Sequence, residues 1–437
     1  MAPSRFRGRV LTFAFLLTVI TYLDRVCISV AAPAMMAELH LSVLQMSAVF
    51  SAFILAYSLF EIPSGWLGDV RGPRRVLTRI VLWWSAFTIL TGSVQGFRSL
   101  VVVRFLFGAG EAGAFPNIIR SFARWFPVRE RGRASGVMFL GSRLGGMLSA
   151  PIALLLIARL GWRVTFVVFG SIGLVWAAAW AWWYRDRPAE HRGVNAAELA
   201  WIEQDAIAGA TIAAATPWQK LLLSRNVWAI CAMYFAYGYG LYFYLTWLPT
   251  YLVTELGFSA LGSGFFASLP FLLAGIADVT GGWLTDHLAR RHSLRVARCG
   301  VGFTAFATTA TLLFASTLAP SPTAKAVLLA LALGSADLSL SACWAAPLDV
   351  AADHAGVITG FMNTFGNLGG LLCPLVVGWA VERQHSWTLP FYITATVYSA
   401  GAIAWLAIDP ERRVLPPSNT EFGVYQRVVM SGARPVE

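Results

Sequence analysis

Residues 61–69 read Glu-Ile-Pro-Ser-Gly-Trp-Leu-Gly-Asp, and residues 278–286 read Asp-Val-Thr-Gly-Gly-Trp-Leu-Thr-Asp. At an offset of 217 an acid, Gly-Trp-Leu and a closing Asp fall in register. A second echo sets Arg143-Leu-Gly-Gly against Asn367-Leu-Gly-Gly at an offset of 224. Two echoes at nearly one offset mark a chain built from two copies of one unit.

Composition says what the unit is. Of 437 residues, 57% are hydrophobic and 13% charged, and the mean hydropathy is +0.64. Soluble domains carry about 25% charged residues. The shortfall runs the length of the chain. Apolar stretches of about twenty residues recur throughout, which is the length a helix needs to cross a bilayer. Spans are predicted at 10–32, 43–67, 76–96, 99–119, 134–158, 162–183, 226–251, 261–284, 297–318, 324–348, 355–381 and 387–408. Each must be helical, because lipid cannot satisfy an open strand edge. The expected fold is an all-α integral membrane protein with twelve transmembrane helices in two six-helix halves. The N-terminal half covers 1–183, a linker loop 184–225, the C-terminal half 226–408 and a tail 409–437.

The net charge is +11, from 33 Lys and Arg against 22 Asp and Glu. Sorted by predicted loop, 25 of the basic residues lie on the side that carries both termini and 5 on the other. Such a split follows the positive-inside rule and predicts cytoplasmic termini on a multi-pass protein of the cell (inner) membrane. The basic balance then reports topology, and no nucleic-acid partner is expected. The three remaining cations, Arg25, Arg104 and Arg143, fall inside spans.

Other classes are disfavoured residue by residue. The five cysteines sit in or at the ends of apolar stretches without a C-x-x-C pair, so they read as small core residues. The basic start and apolar run of the first thirty residues imitate a signal peptide, but Tyr22-Leu-Asp-Arg25 interrupts the run, which reads as span 1. No phosphate-binding glycine loop with a Lys, zinc-spaced His pair or nucleophile elbow is present. Hence no ATP drive, metal, cofactor or enzymatic activity is expected. In the linker, Asn195 and Glu198 suggest a capping box. Leu199, Ile202, Ala206 and Ile207 share a helix face there, and the segment reads as a tether.

Charges inside spans are costly and point to function. Asp24 and Arg25 are adjacent, so they project about 100° apart and need not pair with each other. Arg104 and Glu111 are seven residues apart, two turns along one face, among Gly108, Gly110 and Gly113, which permit close approach. A guanidinium suits a carboxylate through a bidentate fork. A desolvated carboxylic acid has its protonation tuned by neighbouring charges, as proton coupling requires. Arg143 leaves three placements open: a second cavity cation, an internal pair with Asp24 or Glu111, or a snorkel to the cytoplasm. Asp278 and Asp337 read as structural acids, and Tyr234, Tyr237, Tyr239, Tyr242 and Tyr244 crowd span 7.

Gly65-Trp-Leu-Gly-Asp69 followed by Gly72-Pro-Arg74-Arg75 resembles the signature loop of the major facilitator superfamily. That resemblance implies a cytoplasmic gate at Asp69, Arg74 and Arg75, with a second copy at Asp286 beside Arg290 and Arg291. Tyr22-Leu-Asp-Arg25, the Arg104…Glu111-Ala-Gly…Phe115-Pro116 run, Trp125-Phe-Pro-Val-Arg-Glu-Arg-Gly-Arg133, Trp247-Leu-Pro-Thr-Tyr251 and Gly360-Phe-Met-Asn363…Gly366-Asn367…Pro374 resemble its anion:cation symporter family. The resemblance covers about residues 10–408 and implies transport of a small organic anion, such as a sugar acid or aromatic carboxylate, with a proton. It implies that Arg104 holds the substrate carboxylate, with Arg25 and Tyr22 beside it. It implies that Asp24 and Glu111 carry protons and that Tyr57, Asn363 and Trp344 contact substrate. A monomer in the bilayer is expected. A drug/proton antiporter of the same fold is the alternative, disfavoured by the buried arginines. A transport-fold sensor would carry an extra domain.

Overall fold

The computed structural model describes residues 4–203, 218–350 and 355–412, apart from the side chains at 69, 128, 129, 218, 355 and 356. The expected gate acid Asp69, the linker positions Ala206 and Ile207, and the tail beyond 412 lie outside the described residues.

The first half runs α1 (Phe6–Leu39), α2 (Val43–Arg71), α3 (Pro73–Thr91), α4 (Phe97–Glu111), α5 (Ala114–Trp125) and α6 (Val128–Trp183). The linker holds α7 (Ala196–Glu203) and α8 (Trp218–Leu222). The second half runs α9 (Arg225–Thr246), α10 (Leu248–Thr254), α11 (Ala260–Ala289), a π-helical stretch that leads into α12 (Val301–Leu318), then α13 (Pro322–Asp337), α14 (Leu340–Val350), α15 (Ala355–Gln384) and α16 (Thr388–Ala407). No strand occurs among the described residues.

Nine helical segments among the described residues are long and apolar enough to cross a membrane. One, Glu130–Trp183, has 54 residues. At 1.5 Å per residue it would be about 80 Å long, more than twice a hydrocarbon core of about 30 Å. Gly161 divides it into two legs with φ 78° and ψ 162°. The spans expected at 76–96 and 226–251 are also helical. They differ from the nine because α3 has Arg74, Arg75 and Arg79 in its 19 residues and α9 carries five tyrosines.

The repeat is visible in the packing. In the first half α1 packs on α6, α2 on α4, and α3 on both α4 and α6. In the second half α9 packs on α15, α11 on α13, and α12 on both α13 and α16. Each contact of the first half thus has a counterpart in the second.

The sequence predicts one continuous span over 99–119, but the helix breaks at Ala112–Gly113. Gly113 sits at φ 85°, and a Cβ there would lie 2.3 Å from the Cβ of Ser64 on α2, so backbone and neighbour both require glycine. Asn117 Nδ2 donates to the carbonyls of Gly113 (2.7 Å) and Ser64 (3.2 Å). Freed backbone groups at this depth persist only when protein satisfies them. The span expected over 324–348 likewise breaks, at Leu338–Ser339. There Gly281, the repeat mate of Ser64, faces the break, and a Cβ on it would lie 2.2 Å from Leu338 O. The 217-residue echo therefore encodes one local joint used twice.

The halves meet along α2 against α15 and α6 against α11. At the end opposite the termini, Leu44 N donates to Glu382 Oε2 (2.7 Å). Further in, Ser51 Oγ donates to Leu371 O (2.9 Å), and Phe50 packs edge-on to Trp247 with centroids 5.3 Å apart. These contacts close that end of the bundle.

Candidate functional site: a buried charge cluster between the halves

Near the middle of the bundle, α1 supplies Asp24 and Arg25, and α4 supplies Arg104 and Glu111. Asp24, Arg104 and Glu111 are 1%, 2% and 0% exposed. Glu111 is the last residue of α4, so the break at Gly113 fixes where its carboxyl ends up. Arg25 Nε donates to Glu111 Oε1 in an ion pair. The Arg25 guanidinium also lies over the rings of Tyr57, Phe53 and Tyr22, at 4.8, 5.3 and 5.6 Å from their centroids. Arg104 stacks over Phe107 (4.4 Å) and Phe53 (5.1 Å). Aromatic faces can hold a guanidinium without neutralising it.

Several polar atoms in this cluster are buried without a hydrogen-bond partner: Arg104 Nε, Arg25 Nη2, Glu111 Oε2 and both oxygens of Asp24. Buried polar groups are normally paired, and exceptions call for a reason. Arg25 and Arg104 both line a small cavity of about 20 Å³, together with the hydroxyl-bearing Tyr242 and Thr246 and the apolar Ile28, Phe50, Phe53, Ile54 and Leu245. That is room for about one water, so the site is closed in this conformation. Larger depressions of about 540 and 640 Å³ lie on the terminus-bearing end. They are lined by loop-side residues such as Arg71 and Arg74 rather than by the buried charges, so the small cavity is the better site.

The other expected substrate contacts are distributed differently. Tyr22 and Tyr57 flank Arg25, as above. Asn363 Nδ2 donates to both carboxylate oxygens of Glu61, each at 3.0 Å, so its amide is engaged across the α2/α15 seam. Trp344 is not part of the cavity wall and packs between Tyr234 and Phe139, 6.1 Å from each centroid.

Arg143 is held by partners from the other half. It pairs neither with Asp24 nor with Glu111, and at 7% exposure it does not snorkel. Its Nε donates to Asp278 Oδ2 (2.7 Å) and its Nη2 reaches Asp337 Oδ2 (2.8 Å) and Tyr237 Oη (3.3 Å). Tyr237 in turn donates its hydroxyl to Asp337 Oδ1 (2.7 Å). All three partners belong to the second half, where their carboxylates offset the buried guanidinium. In the sequence Asp278 and Asp337 read as structural acids, and the structure joins both to Arg143. The usable signal was the match of three buried arginines with span acids in both halves.

At the terminus-bearing end, Arg74 donates from Nε to Ala181 O (3.0 Å), and its backbone N–H reaches Asp186 Oδ1 (2.9 Å). Arg75 is exposed. Asp286 faces Arg298 at 3.7 Å rather than the neighbouring Arg290 or Arg291, and Arg298 also holds Asp349 at 3.2 Å.

The linker is docked as well. Asn195 Oδ1 accepts the N–H of Glu198 (2.9 Å), the first half of the expected capping box. The Glu198 carboxylate, 0% exposed, accepts the backbone N–H groups of Phe6 (3.1 Å) and Arg7 (3.0 Å) at the start of α1.

The model of the family described as the Major Facilitator Superfamily matches residues 14–373. A probable sulfoacetate transporter of Cupriavidus necator is 38% identical over 406 residues, covering 92% of this chain and 94% of the relative. A hexuronate transporter of Bacillus subtilis is 32% identical over 392 residues, covering 88% and 90%. Among solved structures, a bacterial homologue of the human lysosomal transporter Spinster, in an inward-facing and unoccupied conformation, superposes with a TM-score of 0.71 at 17% identity, covering 93% of this chain and 94% of that one. A duplicated helical bundle, a charge cluster at the seam of its halves and a family match over most of the length lead to one conclusion: the chain belongs to the Major Facilitator Superfamily of membrane transporters.

Proposed function

We propose that this transporter carries a small organic anion together with protons, by alternating access of the central cluster. The observation that carries the reading is the pair of guanidiniums, Arg25 and Arg104, that line one enclosed cavity with unpartnered N–H donors. The relatives support it, being named for sulfoacetate, hexuronate and galactonate.

Charge balance supplies the coupling. Within the four-residue cluster Asp24 and Glu111 offset Arg25 and Arg104, while the neighbouring acid Glu61 is held by the Asn363 amide. A buried site tolerates little unbalanced charge. An anion therefore fits once an acid has taken a proton, and a dianion once both have. Protonation of Glu111 releases Arg25 from its ion pair and turns its fork toward the cavity. Arg104, which has no carboxylate of its own to let go, is the standing anchor. The mainly apolar wall favours a compact carboxylate or sulfonate over a heavily hydroxylated acid. The basic loops support an inner-membrane location with cytoplasmic termini, where Asp69, Arg74, Arg75 and Asp286 would gate the rocking halves. The same cations disfavour a cationic drug as cargo.

The test is uptake into proteoliposomes under an inward proton gradient, offering sulfoacetate, glucuronate, galactonate and glucose. Saturable uptake of an acid is expected, with kcat/KM lowered about a hundredfold by Arg104→Ala. Glu111→Gln is expected to lose gradient-driven accumulation and to retain exchange. Transport of glucose alone, untouched by Arg104→Ala, would overturn the proposal.

A further inference from the structure

The second half holds an acid in the place where the first half holds Glu111. Glu111 ends α4 at the break that Ser64 faces, and Asp337 ends α13 at the break that Gly281 faces. Both acids are 0% exposed. Glu111 takes its cation, Arg25, from its own half. Asp337 takes Arg143 from the other half, and shares it with Asp278.

We infer that Asp337 and Asp278 form a second proton-binding site, which exchanges Arg143 for a proton when the halves part. The inference rests on the proton-coupled reading above and deepens it by adding a site in the other half.

The argument is one of geometry and charge. Arg143 lies on α6 and both carboxylates lie on second-half helices. The α6/α11 seam is tight: a Cβ on Gly146 would lie 2.7 Å from Phe271 Cδ1 and one on Gly264 would lie 3.2 Å from Leu154 Cδ1, while Gly275 sits opposite Arg143 Cβ. Opening the end that is closed here parts this seam and draws Arg143 away. Asp278 and Asp337 then stay together on their own half. The titratable groups facing them are Tyr234, Tyr237 and Tyr244 on α9, Cys343 on α14, Tyr398 on α16 and Tyr22 on α1. Among these described groups Arg143 is the sole cation. Two carboxylates in one buried site cannot both stay ionised once it leaves. One proton then binds, shared between the pair. Asp278, whose side chain is 21% exposed, gives the route from solvent, and Asp337 Oδ2, the oxygen that met Arg143, is the acceptor. Tyr237 holds Oδ1 throughout, because it rides on the same half. When Arg143 returns, the proton leaves by the same route.

The test measures the conformational equilibrium against pH with no organic anion present. Nitroxides are placed on Gln95→Cys and Thr323→Cys, exposed positions at the end opposite the termini in the two halves. The native cysteines are buried. Pulsed-EPR distances then report opening of that end. The open state binds the extra proton, so its population should rise as pH falls, by up to about tenfold per pH unit for one proton. Asp337→Asn and Arg143→Gln should each remove one proton from that slope, in wild type and in a Glu111→Gln background alike, and Asp337→Glu should retain it. An unchanged slope in either Asp337→Asn or Arg143→Gln overturns the inference. If Asp337→Asn does not fold, Arg143→Gln decides alone. Loss of the inference would leave anion uptake through Arg104 intact. Failure of uptake, conversely, would not alter the slope.

Discussion

The two halves use the same joint and differ in where they find its counter-charge. In the first half, Glu111 and Arg25 travel together, and their ion pair survives any movement of one half past the other. In the second half, Asp337 depends on Arg143 across the seam, so its pairing is exposed to any parting of the halves. The lesson is that a buried pair within a rigid body builds a site, whereas a buried pair between two rigid bodies builds a clasp. The two halves share one pattern of sequence and packing, and their buried acids differ in which half supplies the partner.

The comparison breaks most visibly at Arg143. Arg143→Gln leaves Asp278 and Asp337 without their cation, and loss of one partner of a buried pair costs about 3–5 kcal/mol. A clear drop in thermal unfolding temperature is expected, relieved in part by adding Asp278→Asn. An unchanged melting temperature would mean that the clasp contributes nothing to holding the halves together. Next comes Arg104→Ala, which should lower kcat/KM for acid uptake by about a hundredfold, within the range for truncating one side of a buried charge pair. The same measurement on Asp337→Asn should show a change in kcat with KM nearly kept. An equal rise in KM would erase the distinction between site and clasp.

The joints themselves give a smaller effect. Gly113→Ala forces a Cβ at positive φ and into Ser64, and Gly281→Ala forces one into the Leu338 carbonyl. Each should cost about 1–3 kcal/mol in unfolding. Ser64→Gly, which makes the first joint resemble the second, should recover the steric part of the Gly113→Ala loss and leave the φ strain. Smallest of all is Asp286→Asn. Its carboxylate is largely exposed and Arg298 keeps Asp349, so a stability change below about 1 kcal/mol is expected. A larger loss would show that the terminus-bearing end is held by more than loop charges.

Much of the molecule was legible in its residues, for definable reasons. Span length, loop charge and the echo between 61–69 and 278–286 are one-dimensional signals, and the helical, duplicated fold follows from them. The three arginines inside spans were legible because lipid makes each one expensive. The breaks at Gly113 and Leu338 were not. A span with an internal break keeps its hydropathy, and what permits the break is a neighbour such as Asn117 supplying hydrogen bonds from the next turn. The partners of Arg143 were hidden for a related reason. Hydropathy places a residue at a depth, whereas pairing depends on rotation about the helix and on which helices share a seam. Asn363 was anticipated as a ligand contact, and its double donation to Glu61 could only be seen once α2 and α15 lay side by side.

The docking of Glu198 has a consequence for the order in which the protein is made. The first turn of α1 is held by a carboxylate 191 residues downstream of Arg7. A chain emerging from the ribosome inserts α1 long before that carboxylate exists. The first helix therefore waits for its brace until every other helix of its half has been synthesised. Residue 198 follows the last helix of the first half in the chain, so the brace can form only after that half has been made.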